Sequence, residues 1–230
     1  MKIGGLQKMS LVDYPGNVCA TVFLVGCNFR CPFCQNPELV VEKKHPLIKE
    51  DDFFYFLKER KGLIDGICIT GGEPTIYGNK LIDFIKKIKK MDFLIKTDTN
   101  GSNPDVLKEL IKKKLVNYIA MDIKNSPDDY AKSAGVDIDI NLINKSIELI
   151  KSSKIPYEFR ITAVPSLVDK EKIVKIGKWI KGAENVFLQQ FQNEKVLDSS
   201  FRKIDPYSDQ DFKEFKKILD GYVRRVSLRL

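Results

Sequence analysis

Short apolar runs alternate with amphipathic segments along most of the chain. The runs are rich in β-branched residues, as buried strands are, and cover residues 18–26, 66–70, 93–99, 118–124, 157–165 and 185–192. Between them, apolar residues recur at helical spacing: Phe53, Phe56 and Leu57; Leu81, Ile85 and Ile88; Leu107, Leu110 and Ile111; Ile143, Ile147 and Ile150; Ile173, Gly177 and Ile180; Phe212, Phe215 and Leu219. Recurring strand–helix units predict an α/β fold with a parallel sheet and right-handed crossovers.

Local signals set the limits of this pattern. Asn103 followed by Pro104 is typical of a helix start, and Ser208 with Asp211 predicts a capping box. Residues 223–230 are expected to add a last edge strand. The chain has no low-complexity tract and no Gly/Ser linker, which favours a single domain over the whole sequence. Because no stretch reaches the roughly 18 apolar residues of a membrane span, no membrane partner is expected.

Three of the five cysteines crowd into the segment GCNFRCPFCQ, as Cys27, Cys31 and Cys34. A disulfide framework is disfavoured, because a chain of 230 residues can bury a core without covalent links and its cysteine number is odd. The N-terminal segment also lacks the apolar core of a signal peptide, so we expect a cytoplasmic protein with reduced thiols. Cys19 and Cys68 lie in apolar runs and are interpreted as small buried side chains.

Two kinds of metal site stay open for the three clustered thiols. A closed zinc site needs a fourth ligand, which the one histidine, His45, could supply from an unusual spacing. The simpler interpretation of His45 is a solvated loop position ahead of Pro46. A four-iron cluster normally takes four cysteines, so three would leave one iron open to another ligand. An open position is typical of reactive metal sites, whereas structural sites are closed.

Polar residues follow, end or lie within the predicted strands, toward the ends where active sites lie in parallel α/β folds. These residues are GGEP at 71–74, DTNG at 98–101, DIK at 122–124, Arg160 with Thr162, and QQFQ at 189–192. The glycines allow a ligand to approach the backbone closely, and Glu73 offers a carboxylate to an ammonium group. Asp98 and Asp122 would repel each other unless a cation or hydrogen-bond donors intervene. A simple turn at 98–101 and an ion pair between Asp122 and Lys124 remain alternatives.

The motif C-x3-C-x2-C, with Phe33 before its last cysteine, resembles the radical S-adenosylmethionine (SAM) superfamily. The resemblance implies a partial (β/α)6 TIM-like barrel in which the three cysteines hold a [4Fe-4S] cluster and SAM chelates the fourth iron. Electron transfer to the cluster then cleaves SAM to a radical that abstracts a hydrogen atom. Residues 8–39 are most similar to the activating enzymes of glycyl-radical enzymes, in particular those of anaerobic ribonucleotide reductases. DTNG and D-x-K are similar to activase motifs near SAM.

The resemblance also implies a role for each matching residue. Cys27, Cys31 and Cys34 would be the cluster ligands; the SAM-binding residues would be Phe33, Gly71, Gly72, Glu73, Asp98, Thr99, Asp122, Lys124 and Arg160. The GGE turn would hold the methionine amine and Phe33 would lie beside the adenine. Lys124 and Arg160 would neutralise the methionine carboxylate, and the two aspartates would position SAM or a small cation. Gln35 replaces a histidine that many activases carry, which changes a hydrogen bond near the cluster.

The implied substrate is a backbone glycine of a partner glycyl-radical enzyme, with flavodoxin or ferredoxin as reductant. The net charge of +8 fits an acidic reductant, although basic runs such as KKIKK are ordinarily solvated helix faces. Nucleic acid is not expected, since no aromatic-interleaved basic motif is present. Two other classes stay open: a radical SAM enzyme on a small molecule, of the 7-carboxy-7-deazaguanine synthase type, and a non-catalytic electron carrier or zinc protein.

Overall fold

A single sheet runs through the chain. The computed structural model describes residues 1–40 and 46–230, so the interpretation of His45 lies outside the described residues. Within them, eight strands follow one another in sequential order: β1 (Ile3–Ser10), β2 (Cys19–Leu24), β3 (Gly66–Gly71), β4 (Leu94–Thr99), β5 (Tyr118–Asp122), β6 (Tyr157–Ala163), β7 (Val186–Gln190) and β8 (Val226–Arg229). Strands β2 to β8 pair in parallel, which confirms the predicted sheet, and β8 confirms the predicted last strand.

Helices follow the parallel strands. They are α1 (Pro37–Val40), α2 (Glu50–Glu59), α3 (Asn79–Lys89), α4 (Pro104–Lys112), α5 (Tyr130–Ala134), α6 (Ile140–Ser152), α7 (Lys170–Trp179) and α8 (Asp209–Asp220), with 3-10 turns at Pro74–Tyr77, Pro127–Asp129 and Ser199–Lys203. The longer helices bury one apolar face against the sheet; in α3 the predicted positions Leu81, Ile85 and Ile88 are fully buried. No helix among the described residues is long and apolar enough to cross a membrane.

The first strand is not predicted by the hydrophobic pattern. β1 contains Gly4 and Gly5, and three successive residues near its end are exposed, so it shows no period-two alternation. It forms because it pairs antiparallel with β2, from Ile3 opposite Leu24 to Ser10 opposite Cys19, with register shifts between. Tertiary pairing therefore overrides weak local preference at this edge of the sheet.

The two helix-start signals have different outcomes. The Ser208 and Asp211 capping box is present, with Asp211 N donating to Ser208 Oγ at 3.3 Å and Ser208 N donating to Asp211 at 3.0 Å. Helix α4 does begin at Pro104, but Asn103 makes no capping bond and instead donates to Thr75 Oγ1 at 2.8 Å. That amide links the start of α4 to the turn after β3.

The inner face of the sheet carries charge at its carboxyl end. Lys96 and Asp98 on β4 are two residues apart and so share a face, as do Glu158 and Arg160 on β6. Asp122 pairs in register with Arg160, whereas Asp98 pairs with Ala120, so the two aspartates are offset along neighbouring strands. Arg160, on β6, can therefore reach the carboxylates of both Asp122 on β5 and Asp98 on β4.

Candidate active site

One cavity of about 440 Å³ opens at the carboxyl ends of the strands, a volume typical of small-molecule sites. Residues from the loop after β2 and from β8, near opposite ends of the sheet, line the same space, so the sheet is curved around it. The structure brings all of the predicted site residues into its lining: Cys27, Cys31, Phe33, Cys34, Gly71, Gly72, Glu73, Asp98, Thr99, Asp122, Lys124 and Arg160. Their convergence is observed, and their individual roles remain predictions.

The three clustered cysteines are free thiols on a loop between β2 and α1. Burial raises the pKa of Cys27 to about 11 and that of Cys31 to about 12, and it raises the pKa of Cys34 in the same direction. The nearby Lys124 ammonium opposes this rise at each sulfur. Metal binding would have to displace these protons, since only the thiolate is a ligand.

The donor set fits a cluster better than a single ion. In the described part of the chain, no group of three or more His, Cys, Asp or Glu side chains converges where one metal ion could bind. A four-iron cluster binds each thiolate at a different iron and does not need such convergence. The loop is fixed from outside: Asp198 N donates to Pro32 O at 2.9 Å, and the Gln35 amide donates to Gln192 O at 2.9 Å. Gln35 thus joins the cysteine loop to the segment after β7.

The GGE turn is packed tightly against the cysteine loop. Gly71 has a φ of +125°, a conformation that side chains rarely adopt. A Cβ atom on Gly72 would lie 1.9 Å from the carbonyl oxygen of Gly26, immediately before Cys27. Glu73 N donates to that same oxygen at 2.8 Å. The glycines are therefore required by the approach of two backbone segments that both line the cavity.

Glu73 is buried and surrounded by neutral donors. Its carboxylate accepts from Thr75 N at 3.0 Å, Thr75 Oγ1 at 2.6 Å, Thr99 Oγ1 at 2.8 Å and Asn100 N at 2.5 Å. Burial nevertheless raises the pKa of Glu73, because it outweighs these four hydrogen bonds. Glu73 therefore fastens the turn after β3 to the end of β4, and Thr99 serves the same connection.

Five charged side chains form a second feature, the charge chain: Lys96, Asp98, Arg160, Asp122 and Lys124. Arg160 Nη1 donates to Asp98 Oδ2 at 2.9 Å, and Arg160 Nε donates to Asp122 Oδ1 at 2.7 Å. Lys124 Nζ donates to Asp122 Oδ2 at 2.9 Å, and Lys96 Nζ contacts Asp98 Oδ1. Each of the four carboxylate oxygens of Asp98 and Asp122 is therefore paired with a cationic side chain. The ion pair of Asp122 with Lys124, which the sequence left as an alternative, is present as one part of this larger arrangement.

The charge chain stays ionised at neutral pH. Burial acts to raise the pKa of Asp98 and Asp122, but Arg160 and the flanking lysines outweigh it and hold both below their usual values. Burial also opposes the charges on Lys96 and Lys124, and the aspartates more than compensate, so both pKa values are raised. With three cations and two anions, the five residues of the charge chain carry a net charge of +1.

Several residues at the site are not predicted from the sequence. Asn28 accepts from the Asn100 amide at 2.9 Å and donates to Ser102 at 2.8 Å, which ties the cysteine loop to the turn after β4. Arg229 on β8 lines the cavity, pairs with buried Glu158 at 3.2 Å and stacks 3.8 Å from the Phe187 ring centroid. A signal existed for Lys96: it lies two residues before Asp98 in a strand, hence on the same face.

Phe33 is buried in the cavity wall, with the Lys124 ammonium 5.9 Å from its ring centroid. The aromatic ring and the cation together give this wall one apolar surface and one positive group. That combination suits a ligand with a flat heterocycle and a carboxylate, as SAM has.

Comparison with known proteins agrees with the site. The profile of the Radical SAM superfamily matches residues 21–179. A Methanocaldococcus jannaschii protein, provisionally named a glycyl-radical enzyme activating enzyme, is 35% identical over 236 residues, covering 99% of this chain and 95% of that protein. The pyruvate formate-lyase-activating enzyme of Clostridium pasteurianum is 28% identical over 251 residues, covering 98% of each chain.

A solved structure supports the fold. The radical SAM methyltransferase of Sphaerobacter thermophilus superposes with a TM-score of 0.69 over 94% of this chain and 67% of its own, at 14% identity. Radical SAM neighbours of this kind have a partial TIM-like barrel, as expected from the sequence. The chain therefore belongs to the radical SAM superfamily and, within it, to the activating oxidoreductases of glycyl-radical enzymes, whose cofactors are SAM and a [4Fe-4S] cluster.

Proposed function

We propose that this activase binds its [4Fe-4S] cluster through Cys27, Cys31 and Cys34 and generates a glycyl radical on an anaerobic ribonucleotide reductase. The observation that carries the proposal is the convergence of three free thiols, the GGE turn and the charge chain on one cavity. With the cluster and SAM bound, one electron and one SAM yield methionine and 5′-deoxyadenosine. The hydrogen atom gained by the nucleoside comes from the glycine Cα of the partner, which is left as the radical.

The residues of the cavity divide the work of holding SAM. Gly71, Gly72 and Glu73 form the turn against which the methionine amine is proposed to bind, and Lys124 and Arg160 supply positive charge for its carboxylate. Phe33 offers an apolar face for the adenine.

The aspartates of the charge chain have a positioning role in this proposal. The sequence leaves two ways to relieve the repulsion between Asp98 and Asp122: a small cation, or hydrogen-bond donors. The donors are present, since Arg160 bridges the two carboxylates and a lysine pairs with each. The small cation is the alternative to these donors, and with the donors in place its binding would require one of them to move.

The partner and the reductant are proposed from charge and similarity. Residues 8–39 resemble the ribonucleotide reductase activases, which favours that partner. A net charge of +8 would speed the encounter with an acidic flavodoxin or ferredoxin, an effect that salt weakens. A cytoplasmic location, where thiols stay reduced, belongs to the same proposal.

The cluster is tested first. Anaerobically reconstituted protein should bind four irons, and a variant with Cys27, Cys31 and Cys34 all changed to Ala should bind none. Protein that takes up only zinc, or a variant that keeps its iron, would contradict the ligand assignment. A Cys68→Ser variant is the matched control, because Cys68 is a buried thiol that does not line the cavity.

The reaction is tested with isotopes. Purified ribonucleotide reductase deuterated at glycine should pass deuterium into 5′-deoxyadenosine and acquire a glycyl signal in electron paramagnetic resonance. Pyruvate formate-lyase labelled in the same way tests the partner choice. If deuterium comes instead only from a labelled small molecule, such as a 7-carboxy-7-deazaguanine precursor, the chain modifies a metabolite and the activase proposal fails.

A further inference from the structure

The charge chain ends at Lys96, in a place where a lysine is unexpected. Lys96 lies inside β4, and its side chain is only 2% exposed. Its ammonium contacts Asp98 Oδ1 and lies 3.6 Å from the Cys68 sulfur on the neighbouring strand. Asp98 lines the cavity, and Lys96 stands behind it, one layer deeper in the curved sheet.

This position leaves Lys96 one electrostatic task. Cys68 is a thiol whose pKa burial raises well above its ordinary value, so it brings no charge to Lys96. The counter-ion of Lys96 is Asp98, whose other oxygen is held by Arg160. Without Lys96, Asp98 Oδ1 would be a buried carboxylate oxygen with no cationic partner, and the chain would lose its net positive charge.

A lysine in this place does the work that a bound metal cation would do. It neutralises one carboxylate of a repelling pair, and it fixes the direction in which the remaining oxygen faces the cavity. Unlike a soluble ion, the ammonium is covalently attached, so its occupancy does not depend on the salt composition of the cell. The desolvation free energy of the ammonium is part of the free energy of folding and does not arise again when a ligand binds.

We propose that Lys96 is a positioning residue that acts as a built-in counter-cation for Asp98, so that SAM binding needs no added potassium or sodium ion. The inference rests on the proposed function, because it takes the cavity to be the SAM site. It predicts that a neutral side chain at position 96 creates a dependence on cations that the natural chain lacks.

The test measures the Kd of SAM for cluster-loaded protein by equilibrium dialysis, at constant ionic strength. Buffers contain potassium, sodium, methylammonium or the bulky tetramethylammonium ion. The wild-type Kd should agree within about twofold in all four buffers. Lys96→Met, which keeps the length of the side chain, should bind SAM at least tenfold more weakly in tetramethylammonium, and potassium, sodium or methylammonium should restore most of the loss.

Two variants control for general effects. Lys86→Met removes an ammonium that pairs with Asp83 on the surface of α3, and its Kd should match the wild type in every buffer. Lys96→Arg keeps the charge and should stay indifferent to the cation. Circular dichroism and iron content establish that each variant is folded and loaded. If Lys96→Met does not fold, Lys96→Gln, which is also neutral, takes its place in the same four buffers with the same expected result.

The possible outcomes separate the two proposals. Wild-type protein that binds SAM only with potassium or sodium overturns the counter-cation role and leaves the activase proposal standing. An unchanged Kd in folded Lys96→Met, or a loss that no cation restores, also overturns it. Wild-type protein that loads the cluster but binds no SAM in any buffer overturns the proposed function, and this inference falls with it.

Discussion

Two acidic regions of the same cavity are stabilised by different chemistry. Glu73 is surrounded by backbone amides and threonine hydroxyls, whereas Asp98 and Asp122 are paired with lysine and arginine side chains. Glu73 and Asp98 are buried and Asp122 is half-buried, yet burial raises the pKa of Glu73 and the cations lower the pKa values of the aspartates. The sign of the shift is therefore decided by the charge of the donors and not by their number.

The difference suits the two regions to different tasks. Neutral donors fix the GGE turn in space without adding charge, so Glu73 acts as a structural anchor between β3 and β4. Cationic donors keep the aspartates ionised, and the charge chain as a whole carries a net charge of +1 beside the cavity. A zwitterionic ligand such as SAM would meet an oriented backbone on one side and a fixed field on the other.

The largest expected effect lies in the GGE turn, where Glu73 is held by uncharged donors. In Gly72→Ala the added methyl group would collide with the Gly26 carbonyl at 1.9 Å and push the GGE turn away from the cysteine loop. We expect SAM affinity to fall by more than about a hundredfold, or by roughly 3 kcal/mol, since a backbone contact cannot be relieved by a rotamer change. Calorimetry with the cluster-loaded protein measures the loss.

Gly5→Ala is the matched control for that change. A Cβ atom on Gly5 would make ordinary contacts of 3.6 Å with Phe23, far from the cavity. Its SAM affinity should equal that of the wild type. Tight binding by Gly72→Ala would show that the turn can move and that Glu73 is not needed as an anchor.

On the charged side, Arg160→Met should destabilise the fold by about 3 kcal/mol, because it leaves buried Asp98 and half-buried Asp122 each short of one partner. Urea unfolding of the metal-free protein measures this. Arg224→Met removes an exposed arginine paired with Glu184 at 3.0 Å and should cost less than about 1 kcal/mol. If the two variants lose the same free energy of unfolding, the ion pairs of the charge chain are worth no more than an exposed surface pair.

Opposite pH dependences should distinguish the two regions. The pKa of Asp122 is lower in the folded chain than its usual 3.8. Its ionised carboxylate therefore adds to the free energy of unfolding above pH 3.8, and this contribution is lost as the pH falls through the folded pKa. The pKa of Glu73 is raised above its usual 4.5. Its protonated carboxyl therefore adds to the free energy of unfolding below pH 4.5, and this contribution is lost as the pH rises through the folded pKa. Urea unfolding of wild type, Asp122→Asn and Glu73→Gln across this range measures both.

The expected differences have opposite slopes. The stability advantage of the wild type over Asp122→Asn should grow as pH rises from about 2 to about 5, and its advantage over Glu73→Gln should shrink as pH rises above about 4. Parallel slopes would mean that both carboxylates titrate alike and that donor charge does not separate them.

The smallest effect tests a single neutral donor. Thr99→Val removes the hydroxyl that donates to Glu73 at 2.8 Å and preserves the shape of the side chain. We expect a loss of about 1–2 kcal/mol in the free energy of unfolding, as is typical when one partner of a buried hydrogen bond is removed. A loss as large as that of Arg160→Met would erase the distinction between neutral and charged donors.

Much of the site could be predicted, because the carboxyl ends of parallel strands meet at one edge of a sheet. The cysteine loop and the GGE turn come at the ends of β2 and β3, and Asp98, Asp122 and Arg160 lie on the next three strands. Their meeting in one cavity therefore requires only the strand order. Lys96 and Arg229 were not predicted as site residues, because a basic residue within a strand does not by itself indicate which partner it meets. Strand β1 lacked any periodic signal.

The sequence by itself determined the order of strands and helices, the spacing of the three cysteines and the superfamily. These depend on residue periodicity and on short motifs, which are local properties of the chain. Tertiary structure alone decided which donor meets each carboxylate oxygen. Arg160 reaches Asp98 across 62 residues of sequence because the register of three strands and the curvature of the sheet bring them together. Such contacts are set by packing in three dimensions, which no local pattern encodes.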